Sequence, residues 1–275
     1  MPELPETQTI AAILNENLKG KNVLQVQVSK DYKALPSTDI FIKTITGKQI
    51  KSVERVAKNV LLKLDNGVRI LFHLAMTGRL LLWKNSVGSE KWVKVILHFD
   101  GDTKLTFSDM RMFGKAAVLS PKQTEELTAR YGPEPLDENT TPQKLFENLK
   151  TKRTNIKNAL LDQEVISGLG NIYATDALFL AKINPLTKTN NITIENASQL
   201  LSASRTVLNE GIKFGGSTLG DKMYVDPFGK EGTYQEHFKI YSKEKCPVCG
   251  AKVSFIKISG RGTYFCPGCQ PLTNE

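Results

Sequence analysis

The sequence predicts a multidomain α+β protein: a helix followed by an antiparallel β domain, then an all-helical domain, then a short strand-rich ribbon. Three observations carry this prediction. Apolar residues alternate up to about residue 120, they recur at helical spacing from 142 to 211, and all four cysteines fall between 246 and 269. A chain of 275 residues has room for two ordinary domains, or one large domain with an appendage, built around real apolar cores.

Leu4, Ile10, Ile13, Leu14 and Leu18 lie close to helical spacing and Gly20 follows as a stop, so a helix opens the chain. Strands follow at Val23 to Val28 and Ile50 to Val56. In "KNVLLKLDNGVRILFHL" the Asp65-Asn66-Gly67 turn separates two alternating runs, which reads as a hairpin, and "WVKVILHFDGDTKLTFS" repeats the pattern. Short strands with tight turns indicate an antiparallel sandwich or a barrel. "RYGPEPLDENTTP" is polar and proline-rich, hence a linker. Thr141 and Pro142 then suit an N-cap and first helical position, with helices expected over 142–150, 154–162, 171–181 and 193–211. The expected division is a β domain over 1–130, a linker over 131–141, a helical domain over 142–232 and a ribbon over 233–275.

Lysine and arginine outnumber aspartate and glutamate by 37 to 28, a formal charge of +9, so the natural partner is a polyanion. No apolar run reaches the roughly 18 residues of a spanning helix and no signal-type core follows the N-terminus, which excludes a membrane span and predicts an unexported protein. Clustered cysteines point to metal rather than a disulfide framework.

The cysteines stand as C-x2-C, sixteen residues, C-x2-C in "CPVCGAKVSFIKISGRGTYFCPGC". That spacing suits one tetrahedral zinc held by Cys246, Cys249, Cys266 and Cys269. A dithiol redox centre would explain neither the second pair nor Pro247, Gly250 and Pro267. Four thiolates leave no open coordination position, so the metal is structural. Between the pairs, Arg261 sits between two glycines at an expected hairpin tip, presented to a phosphate.

"SGLGNIY" is a glycine turn running into a helix at Asn171, and its N–H groups can bind phosphate with help from Lys152, Arg153 and Lys157. A tight helix–helix turn requires the same glycines. In "HLAMTGRL" and "DMRMFG", Met76, Met112 and Phe113 are either core residues or wedges for a DNA stack, and Arg111 between two methionines is hard to bury. "MPELPETQTI" also reads two ways. Proline and glutamate favour a helix start; alternatively, loss of Met1 leaves Pro2 with a free secondary amine beside the Glu3 carboxylate, a pair suited to covalent chemistry.

Taken in order, "MPELPE", Lys58 in "AKNVLL", "HLAMTG", "DMRMFG", "GLGNIYATDALF" and "GRGTYFCPGCQ" resemble formamidopyrimidine-DNA glycosylase, the relative of endonuclease VIII. The resemblance spans the whole chain, and Leu4 favours the formamidopyrimidine branch. It implies an N-terminal β-sandwich with flanking helices, a helix-two-turn-helix domain and a four-cysteine zinc finger. It implies a monomeric DNA glycosylase and abasic-site lyase of a prokaryotic cytoplasm, associated with the nucleoid. The substrate it implies is double-stranded DNA carrying oxidised purines such as 8-oxoguanine, or abasic sites. The roles it implies are Pro2 as nucleophile, Glu3 as proton handler, Lys58 and Arg261 in the elimination steps, and Glu6 as a structural brace. His73, Arg111, Lys152, Arg153 and Asn171 would contact the DNA backbone, while Met76, Arg111 and Phe113 fill the gap left by the extruded nucleotide.

Several positions depart from the family pattern. Met110 and Met112 replace a proline and a second arginine, Trp92 replaces a histidine, and the loop "GGSTLGDKMYVDPFGKEGTYQ" is longer and lacks an arginine after Leu219. These bear on lesion and opposite-base choice, and leave two alternatives: an oxidised-pyrimidine glycosylase of endonuclease VIII type, or a binding protein without catalysis.

Overall fold

Alternation builds the first half of the molecule. In the computed structural model, which describes residues 2–84 and 90–272, β1 (Val23–Val28), β6 (Val93–Phe99), β7 (Thr103–Asp109) and β5 (Gly78–Lys84) form one antiparallel sheet in that spatial order. A second antiparallel sheet runs β2 (Ile50–Val56), β3 (Asn59–Leu64), β4 (Arg69–His73), β8 (Lys115–Leu119). Every second residue points into one shared core: Val60, Leu62 and Leu64 from β3 meet Val95, Leu97 and Phe99 from β6 and Leu105 and Phe107 from β7. The open choice between sandwich and barrel thus resolves as a sandwich of two four-stranded sheets. The Asp65-Asn66-Gly67 segment joins β3 to β4, as its turn chemistry predicts, with Gly67 at φ +79°.

Helix α1 (Leu4–Leu18) adds Ile10, Leu14 and Leu18 to this core, and α2 (Thr38–Ile45), capped by the Ser37 hydroxyl, adds Phe41 and Ile45. On the outside of the second sheet, Leu61, Leu71 and Ala117 form a separate apolar patch covered by Leu127 of α3 (Pro121–Ala129). Residues 214–235 belong to this same unit. Tyr224 is buried in the sandwich core, the Leu82 N–H donates to the Pro227 carbonyl at 2.7 Å, and Arg79 donates to the carbonyls of Lys222 and Met223 at 2.5 and 3.1 Å. A division at residue 232 groups this segment with the helices, whereas its contacts group it with the strands; those partners lie more than 140 residues away, beyond any local periodicity.

The second unit, residues 129–213 and 236 onward, holds α4 (Pro142–Lys150), α5 (Ile156–Leu161), α6 (Asn171–Leu180) and α7 (Ile194–Lys213), followed by a two-stranded hairpin of β9 (Ser254–Ile258) and β10 (Arg261–Phe265). Helix α4 begins as expected, with the Thr141 hydroxyl accepting the Lys144 N–H and Pro142 at the first position. Helix α6 packs against both α7 and β10. Its Asp176 is fully buried, and the carboxyl oxygens accept the N–H groups of Lys239, Ile240 and Tyr241 at 2.9–3.0 Å, fixing the strap that leads into the ribbon. No helix among the described residues is long and apolar enough to cross a membrane.

Candidate active site

The helix-start reading of the first residues holds from Glu3 onward. Glu3 is the N-cap of α1 and shares a reciprocal capping box with Glu6, whose Oε2 accepts the Glu3 N–H at 2.8 Å, while Pro5 occupies the first turn. Pro2 precedes the helix, so helix formation does not account for it. Pro2, Glu3 and Glu6 are all buried. The other oxygen of Glu6 accepts the Ser217 N–H at 2.8 Å, and Gly216 at φ +80° allows this approach, because a Cβ there would stand 2.8 Å from Glu6.

Lys58 lies in the two-residue turn between β2 and β3, after Ala57 at φ +53°. Arg55 holds that turn, donating to the Ala57 carbonyl at 3.0 Å and to Gln8 of α1 at 2.9 Å. One side chain therefore ties the turn carrying Lys58 to the helix that begins at Pro2 and Glu3. Asn59, His73 and Lys115 stand side by side across β3, β4 and β8, and His73 Nδ1 lies 2.9 Å from Asn59 Oδ1. Burial lowers the His73 pKa below its usual 6.5, and the charges of Lys115 and Lys58 lower it further. A lowered value means the unfolded chain binds the extra proton, so stability is expected to fall as the pH drops below about 6.5 and to be complete above it. Thermal unfolding from pH 5 to 8 checks this, with His73→Gln flattening the dependence. Since neutral imidazole displaces no counterion, His73→Gln should leave the salt slope of duplex binding unchanged at pH 7.5.

The structure brings Met76, Arg111 and Phe113 together. The Arg111 guanidinium lies 4.9 Å over the Phe113 ring and 3.2 Å from the Met76 sulfur. Met76 and Phe113 are 43% and 56% exposed, so neither is a core residue. What holds them is Asp109, which nothing in the sequence marked. It accepts the Thr77 hydroxyl next to Met76, the Arg111 N–H at 3.2 Å and the Gly114 N–H at 2.6 Å. Trp92, Met110 and Met112 are also exposed.

In the second unit, Asn171 caps nothing itself but donates to the Gly262 carbonyl at 2.9 Å, locking the start of α6 to β10. Arg261 is exposed and is the first residue of β10, directly after the Ser259–Gly260 turn. Arg153 is exposed. Lys152 is paired with Asp162 and Glu164 at 2.8 and 3.0 Å, carboxylates that a phosphate would have to displace. Lys157 corrects the sequence reading: it is fully buried and its ammonium donates to the Asn171 carbonyl and the Thr175 hydroxyl of α6, so it is a helix brace and no phosphate ligand. The glycine turn is partly occupied as well, since the Gly168 N–H donates to Gln163 at 2.9 Å.

The four cysteine sulfurs lie within 4.8 Å of one another, with pairs at 3.5 and 3.8 Å. Zinc–sulfur bonds of about 2.3 Å in a tetrahedron separate sulfurs by about 3.8 Å, so the donor set fits one structural zinc. Cys246 and Cys266 pack with Phe179, Ile240 and Val253 in a cluster too small to stand without the metal. Chelation should therefore melt the ribbon while the sandwich, which contains no cysteine, keeps its unfolding transition; near- and far-ultraviolet circular dichroism with zinc release measures both.

A strand sandwich, a helical unit and a four-cysteine ribbon, displaying a cation beside exposed apolar side chains, place this molecule among zinc-ribbon proteins that work on DNA. The chain belongs to the formamidopyrimidine-DNA glycosylase family. Residues 1–116 match the formamidopyrimidine-DNA glycosylase N-terminal domain, 131–223 the H2TH domain of the same enzyme, and 243–272 the zinc finger found in FPG and IleRS. The formamidopyrimidine-DNA glycosylase of Chloroflexus aurantiacus is 41% identical over 98% of both chains, and that of Desulforamulus reducens 40% identical over 98% of this chain and 99% of its own. A Lactococcus lactis FPG variant in complex with a Fapy-dG-containing DNA superimposes with a TM-score of 0.90 at 32% identity, covering 98% of this chain and all of that one. The MutM (FPG) protein of Thermus thermophilus gives 0.88 at 35% identity, covering 99% and 100%.

Proposed function

We propose that this protein is a bifunctional DNA glycosylase and abasic-site lyase that removes oxidised purines through its N-terminal proline. The observation that carries the reading is a buried Pro2 lying outside the helix, adjoining a Glu3 that caps it. While Met1 is attached, the Pro2 nitrogen is an amide; once Met1 is cleaved it is a secondary amine. An α-amine titrates at about pH 8, so a useful fraction is neutral near pH 7. The amine attacks C1′ of the damaged nucleoside as the bond from C1′ to the base breaks and the nitrogen gives up its proton; the C1′–O4′ bond then breaks, O4′ takes a proton, and the open-chain sugar is left as a permanently cationic iminium. Glu3 handles the proton of the opening sugar ring. The iminium acidifies C2′, a proton leaves there, and the 3′ and then the 5′ phosphate depart by successive elimination.

In this reading Lys58, carried on its braced turn, serves the eliminations, and Arg261 grips a phosphate. Met76, Arg111 and Phe113 fill the space of the extruded nucleotide, a step that costs several kcal/mol of stacking. The zinc holds the ribbon that presents Arg261 and takes no part in bond making. The proposed place of action is duplex DNA at the nucleoid of a bacterial cytoplasm, a reading that the bacterial origin of the relatives supports.

Borohydride reduction during turnover tests this. The expected result is a covalent protein–DNA adduct whose labelled peptide begins at residue 2; label on a lysine peptide, or no adduct with any damaged base, would sink the proline mechanism. Running the trap on 8-oxoguanine, formamidopyrimidine and thymine glycol duplexes reads the lesion class at the same time, and a faster rate on thymine glycol would overturn the purine assignment.

A further inference from the structure

The reverse side of the zinc-ribbon hairpin carries a feature that duplex incision leaves unused. Along β10, Arg261, Thr263 and Phe265 share one face, and Thr263 and Phe265 are buried on it. Gly262 and Tyr264 lie on the opposite face, beside Phe255 and Lys257 of β9. There a ladder of rings runs outward: Phe238 to Tyr241 at 5.2 Å, Tyr241 to Tyr264 at 5.2 Å, and Tyr264 to Phe255 at 4.9 Å. The last ring is 54% exposed.

Phe255 and Tyr264 line a groove of about 580 Å³ whose rim carries Lys243, Lys245 and Lys252, with Glu244 as its one acid. Lys245 and Lys252 sit directly opposite each other across an antiparallel bridge, flanked by the ladder bonds from Cys246 to Ala251 and from Val253 to Glu244. Like charges in that register repel. Among the described residues, none of Lys243, Lys245, Lys252 and Lys257 has an ion pair.

We infer that this groove is a second nucleic-acid site, which takes a single-stranded segment by stacking a base on Phe255 and neutralising its phosphates with the paired lysines. Unneutralised cations at fixed spacing beside a half-exposed ring are the combination a single strand satisfies, because its bases offer open π-faces next to a regular row of anions. A duplex keeps its bases stacked internally and would leave Phe255 idle. An acidic peptide would find no use for the ring ladder and would meet Glu244. The inference is independent of the glycosylase reading, since it uses neither Pro2 nor Arg261.

Fluorescence anisotropy of an undamaged oligothymidylate of about 12 nucleotides on the full-length zinc-loaded protein tests it. Phe255→Ala is expected to weaken binding roughly tenfold and Phe255→Trp to hold or strengthen it. Lys245→Gln with Lys252→Gln should reduce the salt slope by about 1.4, the share of two phosphate contacts on a single strand. Incision of a lesion-bearing duplex should proceed at the parent rate in all of them, and zinc content reports that the ribbon is folded. If Phe255→Ala loses zinc, the lysine pair decides. Parent affinity in a zinc-loaded Phe255→Ala protein, an unchanged salt slope in the lysine variant, or loss of duplex incision in step with single-strand binding would each overturn the site. Equal competition by polyglutamate would reassign the groove to acidic proteins.

Discussion

Glu3→Gln is expected to lower base release by about a hundred- to ten-thousand-fold, the range over which a positioned proton-transfer group acts, with the fold intact. The two effects separate because Glu3 has two jobs. As N-cap it needs only an acceptor oxygen, which glutamine keeps, and the Glu3 N–H remains bonded to Glu6; losing a cap altogether costs about 1 kcal/mol, so this change costs less. As proposed proton handler it needs a carboxylate, which glutamine lacks. Single-turnover incision beside thermal unfolding measures both, and a parent rate of base release in a folded Glu3→Gln protein would remove Glu3 from the chemistry. Pre-formed abasic sites provide a further comparison, because the base has already gone and the lyase steps alone remain.

Asp176→Ala should strongly destabilise the second unit. Its carboxyl is the acceptor for three consecutive backbone N–H groups, and it is entirely removed from water. The Ile240 N–H is buried and those of Lys239 and Tyr241 are half-buried; a buried donor left without a partner costs about 1–3 kcal/mol, so a loss of about 2 kcal/mol is expected. The loss should be local at first: amide exchange at Lys239, Ile240 and Tyr241 should rise ahead of the rest of the unit. Tyr241 packs edge-on against Tyr264 of the ribbon, so freeing it loosens β10 as well. Asp176→Asn keeps one oxygen acceptor and should lie between the two. An Asp176→Ala protein with parent stability would mean that water replaces the carboxyl.

What could be read directly from the sequence was periodic or chemically singular. Val23–Val28 and Ile50–Val56 are strands with the bounds their alternation gives, and the cysteine spacing defines its cluster. Helix α3 escaped because "PKQTEELTA" has no apolar stripe; only Thr124 within it is buried. Helix α2 spans just eight residues, too few for a period to stand out. The supporting residues of the site were hidden for a different reason. Thr77 meets Asp109 across 32 positions, Asp176 meets Lys239 across 63 and Arg79 meets Lys222 across 143, distances at which sequence spacing carries no signal. Lys157 was misread because a lysine in a basic run looks solvated, and only packing reveals that its ammonium satisfies the first turn of α6.

Glu6 makes the protein's N-terminal end answerable to a distant loop. One oxygen of its carboxyl holds the Glu3 N–H and the other holds the Ser217 N–H, with Gly216 pressed against the side chain. The two bonds act as the arms of a lever on a single pivot: displacing the loop at 216–217 drags the carboxyl, and the carboxyl drags the residue beside Pro2. Whatever occupies or reshapes the 215–235 loop is therefore felt at the chain's first residues, and a substitution at Gly216, however remote in sequence, is mechanically a substitution beside Pro2.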